Sequence, residues 1–251
     1  MKFNKLLFIS ISAFLLIACS TKSWVITNAT SVKIPIDAKT EAIADKNYQT
    51  YLQPIKQQLG QKMNIVIGQS TETMTGHAPE SLLSNFSADV YLNAGSKYLG
   101  ENVNISIVNL GGLRTSIPAG DITVGKVFEL MPFENELVIL WLRGDKLLEL
   151  VQFFAKVGGE GVSGIRFEIK NGKAINVTVN DNPIETTKIY SIATSDYLAG
   201  GNDKMTQLAQ SEKRLNTGLK LRVILLKYVK DESSKGNKIQ SKLDGRIKIL
   251  N

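Results

Sequence analysis

The chain opens with an apolar run from Leu6 to Ile17, preceded by Lys2 and Lys5 and followed by Ala18 and Cys19. A run of about 12 residues is too short to cross roughly 30 Å of hydrocarbon as a helix. A basic start, a short apolar core and a small residue before the break predict a secretory signal over 1–18. Polar and β-branched residues follow at 20–36, with Trp24 and Val25-Ile26. Together with Cys19 they predict a tether over 19–37 that adds at most a short strand. Ala42, Ala44, Tyr48, Tyr51, Leu52, Ile55 and Leu59 recur at helical spacing, so 38–59 is expected to be a helix, kinked or split at Pro54.

Met63 to Gly68 reads as a buried strand. Pro79 to Leu99 reads as a helix with an apolar stripe of Leu82, Leu83, Phe86, Val90 and Leu92. Ile105 to Val108 is a β-branched strand running into Asn109-Leu110-Gly111-Gly112-Leu113-Arg114. Thr123 to Leu130 predicts a short helix, and Glu136 to Arg143 a strand. Asp145 to Val157 predicts a helix with Leu147, Leu148, Val151 and Phe154 inside. Strands are expected at 164–169, 174–179 and 189–194, and closing helices at 204–210 and 217–230. The mixture, with adjacent strands late in the chain, favours an α+β, mixed-sheet layered domain over 60–251 rather than a regular βαβ array.

Charge adds little to this picture. The formal net charge is +7, and residues 204–251 hold 12 Lys/Arg against 4 Asp/Glu. Only one aromatic residue, Tyr228, interleaves with that basic excess, so it reads as a solvated helix face, and no polymeric nucleic acid is expected as a partner. Cys19 is the only cysteine, so no internal disulfide is available. Leu16-Ile17-Ala18-Cys19 matches the bacterial lipobox. The competing reading of Cys19 is an ordinary buried thiol. Lipidation of Cys19 predicts a membrane-anchored, extracytoplasmic protein of the bacterial envelope.

Several catalytic patterns fail. Gly120-Asp121-Ile122-Thr123-Val124-Gly125-Lys126 fits seven positions of a phosphate-binding loop, but Val127 stands where Ser or Thr should hold magnesium. His77 is the only histidine and lies in a polar loop. One histidine does not furnish a two-metal centre, and no partner for a nucleophile–base pair stands near it. No catalytic residue and no metal ligand is therefore expected in this chain.

Three loops remain: 109–114, 131–135 and 194–203. Between them they offer an amide, a guanidinium, two aromatic rings and a carboxylate. Rings stack on a base, a carboxylate accepts from ribose hydroxyls, and a guanidinium donates to phosphate or base. By residue type alone the aromatics could equally be core plugs and the paired glycines a turn.

The order of the motifs is more informative than any one of them. Glu80…Asn85…Asp89, Val108-Asn109-Leu110-Gly111-Gly112-Leu113-Arg114, Gly120-Asp121-Ile122-Thr123, Met131-Pro132-Phe133, Val162-Ser163-Gly164-Ile165-Arg166-Phe167, Tyr197…Gly200-Gly201-Asn202-Asp203 and Leu243-Asp244-Gly245-Arg246-Ile247 occur in succession. This series resembles the C-terminal, substrate-recognition domain of the 5'-nucleotidase family over about residues 60–250.

The resemblance implies that a base lies between Phe133 and Tyr197, where the family usually has Phe at the second position. It also implies that Asn109 sits near the base, that Arg114 follows the Gly111-Gly112 turn as a ligand contact, and that Asp203 binds ribose. Family members carry a further arginine just before the first helix; here the stretch is Ala78-Pro79-Glu80. The family's catalytic, two-metal domain has no counterpart in residues 20–59, and 38–59 resembles the linker helix. The resemblance thus implies a nucleotide- or nucleoside-recognition subunit with no cofactor of its own. A separate metallophosphoesterase chain would supply divalent metals, and an exposed apolar patch is expected beside the site. The alternative is a lipoprotein that captures nucleosides without catalysis.

Overall fold

The computed structural model describes residues 24–250. The signal at 1–18 and the lipidation site Cys19 lie outside the described residues. Compact units meet between Leu52 and Gln53. In the first, 24–36 form neither helix nor strand, so the tether adds no strand; α1 then covers Ala38–Ala42. The expected helix at 38–59 is two helices, the second being α2, Lys46–Met63. Pro54 lies inside α2 without splitting it. Pro54 and Thr50 are both exposed, so the carbonyl that proline leaves unpaired can bond to water.

The second unit is built around a mixed five-stranded sheet in the order β10-β4-β9-β2-β5. Its strands are β2 (Ile105–Val108), β4 (Glu136–Arg143), β5 (Gly161–Ser163), β9 (Ile189–Ser195) and β10 (Lys213–Lys220). β2 runs parallel to β9, whereas β4, β5 and β10 run antiparallel to their neighbours. Along β4, Leu137 and Ile139 enter one apolar cluster and Val138, Leu140 and Leu142 the other. Strand alternation therefore splits one run between two cores, and the sheet is the middle layer.

One outer layer holds α3 (Leu82–Leu99), α4 (Val124–Leu130), α6 (Leu221–Ser234) and the antiparallel pair β1 (Val66–Ser70) and β3 (Gly120–Thr123). The other holds α5 (Gly144–Val157) and a four-stranded sheet, β11-β6-β7-β8. Its strands are β6 (Ile165–Lys170), β7 (Lys173–Val179), β8 (Asn182–Pro183) and β11 (Ile247–Leu250). The result is the layered, mixed-sheet α/β domain that the pattern of elements predicts.

Local chemistry moves several boundaries. α3 starts at Leu82, not Pro79, because Ser81 caps it: Ser81 Oγ accepts from Ser84 N, and Ser84 Oγ accepts from Ser81 N. The predicted closing helix at 217–230 begins instead at Leu221. Gly218 has φ +71° and Lys220 is extended, so the preceding residues form the polar edge strand β10. The predicted helix at 204–210 is also absent. Asp203 and Lys204 take left-handed backbone at φ 52° and 65°, which an α-helix does not admit; they lie in a distorted 3₁₀ turn at Asn202–Lys204, and a second 3₁₀ turn follows at Leu208–Gln210.

Candidate functional site

The sheet topology brings the three candidate loops together. β2 and β9 are parallel neighbours, so Asn109 and Asp196-Tyr197 leave the sheet side by side. β4 is antiparallel to β9, with Leu137 opposite Ser195, so the loop entering β4 arrives at the same edge. β5 starts at Gly161 opposite Val108, which adds Glu160. β10 ends at Lys220 opposite Glu136, which adds Leu221. In open sheets ligands commonly sit outside strand ends of this kind.

The cleft at this edge has a volume of about 350 Å³, and all seven residues singled out from the sequence line it: Asn109, Gly111, Gly112, Arg114, Phe133, Tyr197 and Asp203. Phe133 is 45% exposed and Tyr197 43%; these rings stand at the rim rather than plugging the core. Asp203 sits between two donors, Asn109 Nδ2 at 2.6 Å and Tyr197 Oη at 2.8 Å. An ionised carboxylate offers about four acceptor positions, so Asp203 retains capacity for hydroxyls of a ligand. The hydrogen bond to Asp203, followed by burial, pushes the Tyr197 hydroxyl above its ordinary pKa and keeps it a neutral donor.

Arg114 is held by the carbonyl of Gly111 at 3.1 Å, and its guanidinium carbon lies 6.0 Å from the Phe133 ring centre. The paired glycines are not equivalent. A Cβ on Gly111 meets open space, whereas one on Gly112 falls 2.6 Å from Asn109 Oδ1. Gly112→Ala is therefore expected to push Asn109 off Asp203 and weaken the binding of a ligand held at that carboxylate about tenfold, roughly one lost charge-assisted bond. Gly111→Ala should bind as the parent does. Equal affinities for the two variants, measured by titration calorimetry, would remove this role of Gly112.

Several supporting residues escaped the sequence reading. Arg222, buried beneath the 131–134 loop, donates to the carbonyls of Met131 and Phe133 at 3.1 Å each and pairs with Glu134. Asp196 accepts from Asn135 Nδ2 at 2.9 Å and from Tyr197 N at 2.8 Å. Glu160 accepts from Leu110 N at 2.8 Å, anchoring the 3₁₀ turn that carries Gly111 and Gly112. Its one sequence signal was the neighbouring glycines; a Cβ at Gly159 would lie 2.5 Å from the Pro79 carbonyl oxygen. The stretch lacking the family arginine thus packs behind this loop.

Burial pushes Glu160 up to about 7; the Leu110 N–H opposes that rise and the Asp203 charge adds to it. A carboxyl whose folded pKa exceeds the unfolded one binds more protons when folded, so stability falls as pH rises from about 4.5 to about 7 and then levels off. Glu160→Gln keeps an oxygen for Leu110 and removes the charge. It should raise stability at pH 8 by about 1–3 kcal/mol and leave pH 4 nearly unchanged. Urea unfolding at both pH values checks this; an equal gain at both would assign the effect to something other than charge.

A metal centre does not fit these residues. Among the described residues no group of three or more His, Cys, Asp and Glu could hold an ion, and His77 is exposed.

Comparison with known proteins agrees with the fold and the motif order. Residues 66–210 match the family described as 5'-nucleotidase, C-terminal domain. The chain belongs to this family. It is 28% identical to the trifunctional nucleotide phosphoesterase protein YfkN of Bacillus subtilis over 92% of the chain and 17% of that protein. It is 23% identical to a 5'-nucleotidase of Vibrio parahaemolyticus over 80% of the chain and 38% of that protein. Among solved structures, the 5'-nucleotidase precursor of Thermus thermophilus superposes with a TM-score of 0.69 at 28% identity, over 81% of this chain and 42% of that one. The NAD nucleotidase of Haemophilus influenzae shares the fold, with a TM-score of 0.60 at 22% identity. The chain spans less than half the length of each of these relatives.

Proposed function

We propose that this chain is the nucleotide- or nucleoside-recognition subunit of a 5'-nucleotidase-type phosphohydrolase. The observation that carries this reading is the convergence of two half-exposed rings, an amide, a guanidinium and a hydrogen-bonded carboxylate on one cleft. The base stacks between Phe133 and Tyr197, Asn109 addresses its edge, Asp203 accepts from ribose hydroxyls, and Arg114 donates to phosphate or base.

On this reading, metals and water activation come from a separate metallophosphoesterase chain. Leu219 and Val223 are exposed on either side of the cleft-lining Leu221, an apolar flank suited to such a partner. Lipid on Cys19 holds the subunit at an extracytoplasmic membrane face. No helix among the described residues is long and apolar enough to cross a membrane.

Two measurements test the proposal. Calorimetric titration with adenosine and AMP should show binding by the chain alone. Release of phosphate from AMP by a metallophosphoesterase chain of the same envelope should rise when this chain is added. Binding without stimulation would reduce the protein to a nucleoside-capture module. The absence of both would overturn the reading.

A further inference from the structure

A helix in a folded protein draws most of its stability from an apolar face packed against something else. α2 runs for 18 residues and none of them is buried. Its apolar residues nevertheless share one side. At 3.6 residues per turn, Tyr48, Tyr51, Leu52, Ile55 and Leu59 span an arc of roughly 100°, the width of a core-facing stripe. Tyr48, Tyr51, Ile55 and Leu59 are each more than half exposed. The last residue of α2 rests against α4, since a Cβ at Gly125 would lie 3.1 Å from the Met63 carbonyl oxygen. Among the described residues nothing buries the stripe.

The charges on α2 indicate what covers it. Lys46, Lys56 and Lys62 are its charged residues, and no Asp or Glu occurs from 46 to 63. Its other polar side chains are Asn, Gln and Thr. Two copies packed stripe to stripe would gather lysines with no acid between them. A protein partner normally meets a complementary pattern of both signs, and α2 offers one sign only. An anionic bilayer matches both features. Its headgroup region admits apolar side chains to a shallow depth and attracts lysine. Tyrosine rings favour that level, and lysine stems can lie along an apolar face with their ammonium groups at the phosphates.

We propose that α2 lies in the headgroup layer of an anionic membrane, with Tyr48, Tyr51, Leu52, Ile55 and Leu59 toward the acyl chains. For its setting this rests on the lipid-anchored reading of Cys19, which Lys46 follows by 27 residues. An anchor that close keeps α2 at the surface, so a weak affinity of the helix itself suffices. The contact is separate from the nucleotide cleft and from the apolar flank at Leu219 and Val223.

The chain from Ser20 onward, which holds every described residue and carries no lipid, is sedimented with two kinds of vesicle: phosphatidylcholine alone, and an equal mixture with phosphatidylglycerol. Binding to the mixed vesicles is expected to be at least about tenfold tighter and to weaken in molar salt. Ile55→Gln with Leu59→Gln should weaken it about tenfold. Lys56→Gln with Lys62→Gln should weaken it about tenfold and remove most of the salt dependence. All four side chains are exposed, so the melting temperatures should match the parent's. No binding by the parent, or equal binding to both kinds of vesicle, would overturn the proposal. Variants that bind as the parent does would move the contact to the basic residues of 204–251 and overturn it as well. A parent that is dimeric, and monomeric once Ile55 and Leu59 are replaced, would make the stripe an interface between copies instead. Lipid on Cys19 is read separately, from the mass of the full chain extracted from membranes, so that reading can fail while this one stands, and the reverse.

Discussion

Arg246→Ala is expected to lower the unfolding free energy by about 3–5 kcal/mol, the usual cost of removing one partner from a buried charge network. The buried guanidinium donates to Asp89 Oδ1 and the Val162 carbonyl at 2.8 Å each, and to both Asp244 oxygens at 3.0 Å. Glu80, also buried, lies 4.0 Å away, and its carboxylate accepts from Asn85 Nδ2 and Asp244 N at 2.7 and 2.9 Å. One arginine thereby fastens the turn before β11 to α3 and β5, and its loss leaves Asp89, Asp244 and Glu80 without their shared cation, only Arg166 remaining beside Asp244. Urea unfolding measures the effect.

Arg246→Lys should recover only part of the loss, since one ammonium cannot reproduce a planar fork bonded on two sides. The pH dependence gives a second check. Burial pushes the Asp244 carboxyl up, but hydrogen bonding and charge from Arg246, with the charge of Arg166, hold it below its ordinary value. A depressed folded pKa contributes stability above the ordinary carboxylate range and loses it as pH falls through and below that range. The deficit of Arg246→Ala should therefore shrink on acidification. A loss under about 1 kcal/mol at neutral pH would mean that water already screens the cluster.

Phe133→Ala and Tyr197→Ala should each weaken the binding of adenosine or AMP by about 1–3 kcal/mol, the range found for removing one stacking ring. Neither should lower thermal stability appreciably, because both rings are nearly half exposed. The two losses are expected to differ in kind. Alanine at 133 removes a stacking face and the ring beside Arg114. Alanine at 197 also takes away the hydroxyl that holds Asp203.

Tyr197→Phe separates these roles. It keeps the face and frees one acceptor position on Asp203, so affinity should change less than about tenfold, the cost of a single hydrogen bond. If Tyr197→Phe binds as poorly as Tyr197→Ala, the ring contributes through Asp203 and not through stacking. Full affinity in both alanine variants would place the base elsewhere in the cleft.

All seven residues picked from motif order line one cleft, and the strand at Glu136–Arg143 was legible to its end residues. It was so because six consecutive apolar positions, Leu137 to Leu142, feed two cores and leave no polar interruption between the charged ends. α5 was equally plain, an amphipathic stretch closed by Gly158 at φ 92°. Polar and short elements were not legible. β10 is an edge strand whose two faces are largely solvated, so no alternation marks it, and Leu219 with Leu221 mimics a helix start. Glu160 and Arg222 were invisible for a related reason: each acts on a residue distant in sequence, and no local spacing encodes that neighbour.

Local pattern and motif order alone determined the fold class, the family and the groups available to a ligand, since these depend on residue type and short-range periodicity. Only the tertiary structure decided that those groups share one site. The parallel pairing of β2 with β9 and the antiparallel pairing of β4 with β9 bring loops from distant parts of the chain to one end of the sheet. Strand pairing is a long-range choice made by burial on both sheet faces, and it likewise placed the half-buried Glu160 behind the glycine turn.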